Sequence, residues 1–140
     1  MVEINDIKYY GQWCRETDIN HHSWWYSTYD EKIYNVDELI EKYSFKNYEE
    51  IEVSTGYIPV WKTDLIETAK QFVIETKDKT VQRFFIEQDD ISFFREFDNY
   101  ITSNQNYLTR WWYEFEDSAL IADAIAWCKE NHIVYSKRNI

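Results

Sequence analysis

Glycine and proline are nearly missing from this chain, with two Gly and one Pro in 140 residues. Glycine is the default residue where a chain must take positive φ, and proline breaks both helices and strands. Their scarcity argues against an all-β sandwich, which consumes both at its turns, and favours long helices joined by short connections. Cysteine is equally sparse. Cys14 and Cys128 form neither a CxxC pair nor a dense framework, so a disulfide-stapled scaffold is excluded. No apolar run approaches the roughly 18 residues of a membrane span. The most apolar stretch, residues 119–128, is short and holds Asp123, which reads as a core helix. Residues 1–11 carry Glu3, Asp6 and Lys8 without the apolar stretch of a secretion signal, so the expected setting is the cytoplasm, with both thiols reduced.

Positive charge is the next shortage. Fifteen Lys and Arg face 26 Asp and Glu, a formal charge of −11. Such a surface repels a phosphate backbone, and no basic stripe compensates locally, so nucleic acid is excluded as a partner and a neutral or basic protein surface is favoured. Recognisable catalytic motifs are missing as well. There is no Gly-x-Ser-x-Gly elbow, and Gly11 and Gly56 stand too far apart to form a phosphate-cradling loop. Cys14, Asp18, His21 and His22 are the one cluster of soft and borderline metal ligands, but neither CxxC nor HxxxH spacing occurs, and adjacent histidines on a strand would point to opposite faces. Neither metal nor cofactor is expected. Carboxylate pairs such as Glu96 with Asp98 and Glu114 with Asp117 follow from the density of acidic residues alone.

Aromatic residues, by contrast, make up 19% of the chain and include seven Trp, enough to build a core on their own. No linker or repeat divides the sequence, so residues 1–140 form one domain of two textures. Residues 23–29 and 32–36 are rich in aromatic and β-branched types around Asp30-Glu31 and predict a hairpin. Asn35 is placed to cap a short helix over 37–43, with Leu39 and Ile40 inward, and a third strand is expected over 50–54.

From residue 63 onward the period is helical. Leu65, Ile66, Ala69, Phe72 and Val73 fall on one stripe over 64–76. Helices follow over 79–87, with Val81, Phe84 and Phe85 inward, and over 90–101, with Phe94, Phe97 and Ile101 inward. A long last helix over 107–130 carries Leu108, Trp111, Phe115, Ala119, Ala122 and Ala126 as its apolar stripe, and Arg110 and Glu114 as a surface pair. Asn131 then supplies the left-handed residue that stops it, and Ile133 packs back on the last turn. The fold class is α+β, a small N-terminal antiparallel sheet packed against four or five helices.

From Tyr57-Ile58-Pro59 through Phe94-Arg95-Glu96-Phe97 and Trp112-Tyr113-Glu114-Phe115 to Ala126-Trp127-Cys128-Lys129-Glu130-Asn131-His132-Ile133, the chain resembles a bacterial family of small acidic proteins of the UPF class. The specific element is an aromatic-rich helix ending in a Trp-Cys-x-Glu-Asn-x-Ile tail, and members put Gly where this chain has His132. The resemblance implies a fold and a bacterial or phage origin, and no reaction.

Two features stand out as binding candidates. Trp24-Trp25 and Trp111-Trp112-Tyr113 place neighbouring aromatics on different faces of their elements, which leaves one of each pair partly exposed. Arg95 sits between Phe94 and Phe97, at the edge of a buried stripe, where its guanidinium would pair with a carboxylate or a helix end. Trp, Tyr and Arg together are the composition of an interaction hot spot. Trp24, Trp25, Arg95, Trp111 and Trp112 therefore predict a non-enzymatic protein-interaction module. The competing reading is an enzyme whose site gathers Arg95, histidine and scattered carboxylates.

Overall fold

The computed structural model describes residues 1–13, 23–86, 88–104 and 107–138. In chain order the elements are β1 (Val2–Glu3), α1 (Ile4–Ile7), a single tight helical turn (Lys8–Gly11), β2 (Gln12–Trp13), β3 (Trp24–Ser27), β4 (Lys32–Asn35), α2 (Val36–Lys42), α3 (Tyr48–Glu52), β5 (Tyr57–Pro59), β6 (Thr63–Asp64), α4 (Leu65–Thr76), α5 (Lys79–Ile86), α6 (Asp90–Asn104), α7 (Tyr107–Glu130) and β7 (Tyr135–Ser136). The architecture is α+β, as expected. An antiparallel sheet of order β4-β3-β5 forms the centre of the N-terminal half, and two short parallel pairs, β1 with β7 and β2 with β6, tie the first residues to both ends of the helical half.

Aspartate and asparagine do the punctuating that glycine and proline leave undone. Asn35 opens α2 with a full capping box, its side chain accepting from the Asp37 N–H at 2.9 Å while Glu38 reaches back to the Asn35 N–H. Asn47 accepts from Glu50 N, Asp64 from Ile66 and Glu67 N, Asp78 from Thr80 and Val81 N, and Asp89 from Ser92 N. Each satisfies amides that a helix start leaves without internal partners. The Asn47 cap also explains why residues 50–54 are not the third strand of the sheet: with Glu49 and Glu50 in its first turn, the segment goes into α3, and the third strand is β5, which starts seven residues after the expected start.

The sheet is buried on both faces, and the alternation of β3 decides what goes where. Trp25 points to one side, into a cluster with Leu39 of α2 and Ile51 of α3. Trp24 and Tyr26 point to the other, into a cluster with Val2, Ile4, Val60, Ala124, Trp127 and Cys128. A third cluster lies among α4, α5, α6 and α7 and contains all of the α4 stripe except Leu65, itself buried, with Val81, Phe93, Phe97, Ile101, Leu108 and Trp112. On α6 Phe97 and Ile101 are buried as expected, but the fully buried ring near the start is Phe93, and Phe94 packs against the same cluster only half-buried. The side chains of Phe84 and Phe85 lie outside the described residues, as do Cys14, Asp18, His21 and His22.

α7 departs from its expected stripe because it serves two cores on two faces. Its first half buries Leu108 and Trp112 against α4 and α6, and its second half buries Leu120, Ala124, Trp127 and Cys128 towards the sheet and the N-terminal segment. Trp111, Ala122 and Ala126, expected inward, are exposed. Steps of four residues at 100° each drift around the axis, and one straight helix thereby reaches both clusters.

The helix ends on a Schellman motif one residue later than expected. His132, not Asn131, holds the left-handed conformation (φ 57°), with Ile133 N bonded to Cys128 O at 2.8 Å and His132 N to Lys129 O at 3.3 Å. Ile133 packs beside Cys128, whose buried thiol is pushed up to about 11 by desolvation. Glu31, Ser44 and Lys77 also take positive φ, whereas neither glycine does. The glycines serve close approach instead. A Cβ on Gly11 would meet the Trp61 indole Nε1 at 1.9 Å, and one on Gly56 would meet the Tyr29 ring at 2.2 Å. Replacing a side chain held at positive φ by glycine removes a backbone clash worth about 1 kcal/mol. His132→Gly should therefore raise Tm by roughly 3 °C, checked by thermal unfolding; an unchanged or lower Tm would show that His132 is unstrained.

Candidate functional site

A concavity of about 730 Å³ lies where the turn Lys8–Gly11 meets α7. That turn packs on the face that α7 devotes to its second core, and the same face continues uncovered towards the start of the helix. Arg110, Tyr113 and Asp117 fall on it at i, i+3 and i+7, with Thr109, Glu114 and Glu116 beside them and Lys8 and Tyr9 opposite. Thr109 anchors this end of the helix, its hydroxyl donating to Ile101 O of α6 at 2.7 Å.

Lys8 is the unusual member. It is 7% exposed, and its ammonium meets Asp117 Oδ1 at 2.7 Å with the Tyr9 ring centroid 5.0 Å away. Burial pulls the Lys8 pKa down, and the bond and charge of Asp117, with a contribution from Tyr9, more than reverse it, so the ammonium is held above the usual lysine value. At the outer end Arg110 Nε pairs with Glu114 at 3.2 Å, the surface pair read from the sequence. Both partners are largely exposed, so this contact contributes little.

Of the five charged groups lining the groove, Lys8 and Asp117 pair, Arg110 and Glu114 pair, and Glu116 has no hydrogen bond or ion pair among the described residues. Burial, then the charges of Asp98 and Asp117, raise the Glu116 carboxyl above its ordinary value. Asp98, on the facing side of α6, is itself raised by burial and lines a second groove of about 470 Å³ with Phe94, Arg95 and Thr102. One carboxyl of each groove, Glu116 in the first and Asp98 in the second, is thus close enough to the other for the Asp98 charge to bear on Glu116. The walls of the first are aromatic, since Tyr9 and Tyr113 stand 58% and 48% exposed.

The five residues singled out by sequence are not brought together. Trp25 lies in the core under α2 and α3, edge-on to Tyr48. Trp112 is buried edge-on to Phe97 and Phe72. Each is thus the buried member of its pair, and neither offers a contact surface. Trp24 is half-buried against Tyr10, and Trp111 leans edge-on to Phe72 with 37% of its surface exposed. Arg95 is exposed and lines the second groove. The stripe edge it was expected to occupy belongs to Phe94, because Phe93 is the ring that turns fully inward. Arg95 and His132 do not form one site: His132 follows the far end of α7, roughly 24 Å of helix axis beyond Glu116, whereas Arg95 lines the Asp98 groove. Tyr9, Lys8 and Glu116 were missed, because the turn that carries Lys8 and Tyr9 is too short to show a period. Tyr113 was visible as the third member of the Trp111-Trp112-Tyr113 run.

Among the described residues no group of three or more His, Cys, Asp or Glu is arranged to hold a metal ion, and no helix is long and apolar enough to cross a membrane. No family model, curated protein or solved structure matches the chain.

A carboxyl whose native pKa lies above its unfolded value binds its proton more tightly when folded, so its ionisation costs stability as pH rises from the ordinary value towards the native one. For Glu116 that window starts at 4.5. Glu116→Gln should accordingly be more stable than the parent at pH 7.5 and should lose that advantage as pH falls towards 4.5. Thermal unfolding across this range checks it; a difference in Tm that does not vary with pH would place Glu116 in a water-like environment.

Proposed function

We propose that the protein is a non-enzymatic interaction module of the bacterial cytoplasm, and that its partner docks in the groove between the turn Lys8–Gly11 and α7. The supporting observation is the pair of exposed tyrosines, Tyr9 and Tyr113, lining one concavity with Arg110. Tyr and Arg are the residues over-represented where a few contacts carry most of a binding energy. The groove opens broadly to solvent, with Arg110 and Glu114 paired at its outer end and the buried Lys8 paired with Asp117 within it. The net charge of −11 favours a partner with a neutral or basic surface. No second reading is carried by a specific observation.

Affinity capture with the parent chain and its variants tests the proposal. Tyr9→Ala combined with Tyr113→Ala removes two exposed rings and should change stability by no more than about 1 kcal/mol, while recovery of a recurrent partner falls about tenfold or more. Trp25→Ala or Trp112→Ala should instead cost about 3–5 kcal/mol and abolish capture by unfolding the protein. Partner recovery that is unchanged by the double tyrosine variant would overturn the groove as the docking surface.

A further inference from the structure

Glu116 is the one charged group of the groove without a counter-ion among the described residues, and it sits one helical turn from the Tyr113 ring. Lys8 already shows what these surroundings accept: its ammonium rests against a carboxylate, Asp117, and over a tyrosine ring, Tyr9, at once. A carboxylate beside an aromatic face is the recognition chemistry of alkylammonium ions, the ring supplying a negative π-face and the carboxylate the opposite charge. The charges of Asp98 and Asp117 both bear on Glu116, and the two cations that line the groove, Lys8 and Arg110, are each engaged with another acid.

We propose, resting on the docking groove described above, that the groove is an alkylammonium site in which a lysine side chain of the partner protein lies along the Tyr113 ring with its ammonium on Glu116. The four-carbon stem of lysine matches a groove whose walls are aromatic and whose base is charged, because the stem buries on the ring while the head stays on the carboxylate. Desolvation disfavours an unpaired Glu116 anion, and an incoming cation relieves that cost together with the repulsion from Asp98 and Asp117.

Amide-resolved NMR titration of the full chain tests this with three probes at matched ionic strength: acetyl-Gly-Lys-Gly-amide, the same peptide acetylated on lysine, and n-butylammonium chloride. The lysine peptide should give saturable shifts confined to the neighbourhood of residues 8–9 and 109–117, and the acetylated peptide should not. Glu116→Gln, and independently Tyr113→Leu, should each weaken the lysine peptide about fivefold. Shifts spread over the acidic surface, equal binding of the acetylated peptide, or an unchanged affinity in both variants would overturn the site. Binding of n-butylammonium without the lysine peptide would overturn the assignment to a protein side chain. Capture lost in the tyrosine variants without any ammonium binding would sink this inference and leave the docking groove standing; ammonium binding with capture unaffected would do the reverse.

Discussion

Trp127 is the joint on which the two halves of the protein meet. Its indole N–H donates to Pro59 O at 3.0 Å across 68 residues of sequence, its ring meets Tyr26 edge-on at 5.6 Å, and Trp61 packs against it at 5.2 Å. Trp61 in turn packs against Gly11. A single chain of rings thus runs from the sheet through α7 to the turn that carries Lys8 and Tyr9. A buried donor must find an acceptor, so the hydrogen bond fixes how far along α7 the sheet sits. The packing of Gly11 under Trp61 then fixes how close the turn approaches. The groove is the space left where that turn ends, and its shape follows from contacts made about two helical turns and more away from it.

The parts of the fold that were legible in sequence are those in which local preference and burial agree. The 64–76 stripe appears as α4 with every expected inward residue buried, the Asn35 cap is a full capping box, and the hairpin pairs Trp24 with Asn35 through Ser27 with Lys32. Where the reading failed, long-range packing had outvoted a local pattern. Residues 50–54 look β-branched and extended until Asn47 caps them, and the α7 stripe assumed one buried face where the helix has two. The site was harder still. Doubled tryptophans drew attention, yet a large ring next to another large ring places one of them inward by geometry, and Trp25 and Trp112 went there. The exposed aromatics that line the groove are tyrosines, whose hydroxyl tolerates water, and one of them sits on a four-residue turn with no periodic signature.

The acidic composition also acquires a structural reason. Asp64, Asp78 and Asp89 cap α4, α5 and α6, and Asp117 holds Lys8. Asp30 accepts from the Tyr34 hydroxyl and, although partial burial opposes it, this and neighbouring bonds hold its carboxyl below the ordinary value. A chain with two glycines and one proline must start and stop its helices by side-chain hydrogen bonding, and aspartate does so while favouring the positive end of the helix dipole. Part of the charge of −11 is therefore the cost of punctuation rather than a surface property.

The two-faced use of α7 restricts how this sequence can diverge. Inserting one residue between Trp112 and Ala124 would turn the second half of the helix by 100° relative to the first and swing Trp127 off Pro59, while leaving every local helix preference intact. Seven residues would nearly restore the facing but would lengthen the helix by about 10 Å and separate the two cores. Between those positions the helix behaves as a ruler with a fixed twist, and natural variation in length should collect in the connections between α2 and α3 or α5 and α6, where no such phase has to be kept.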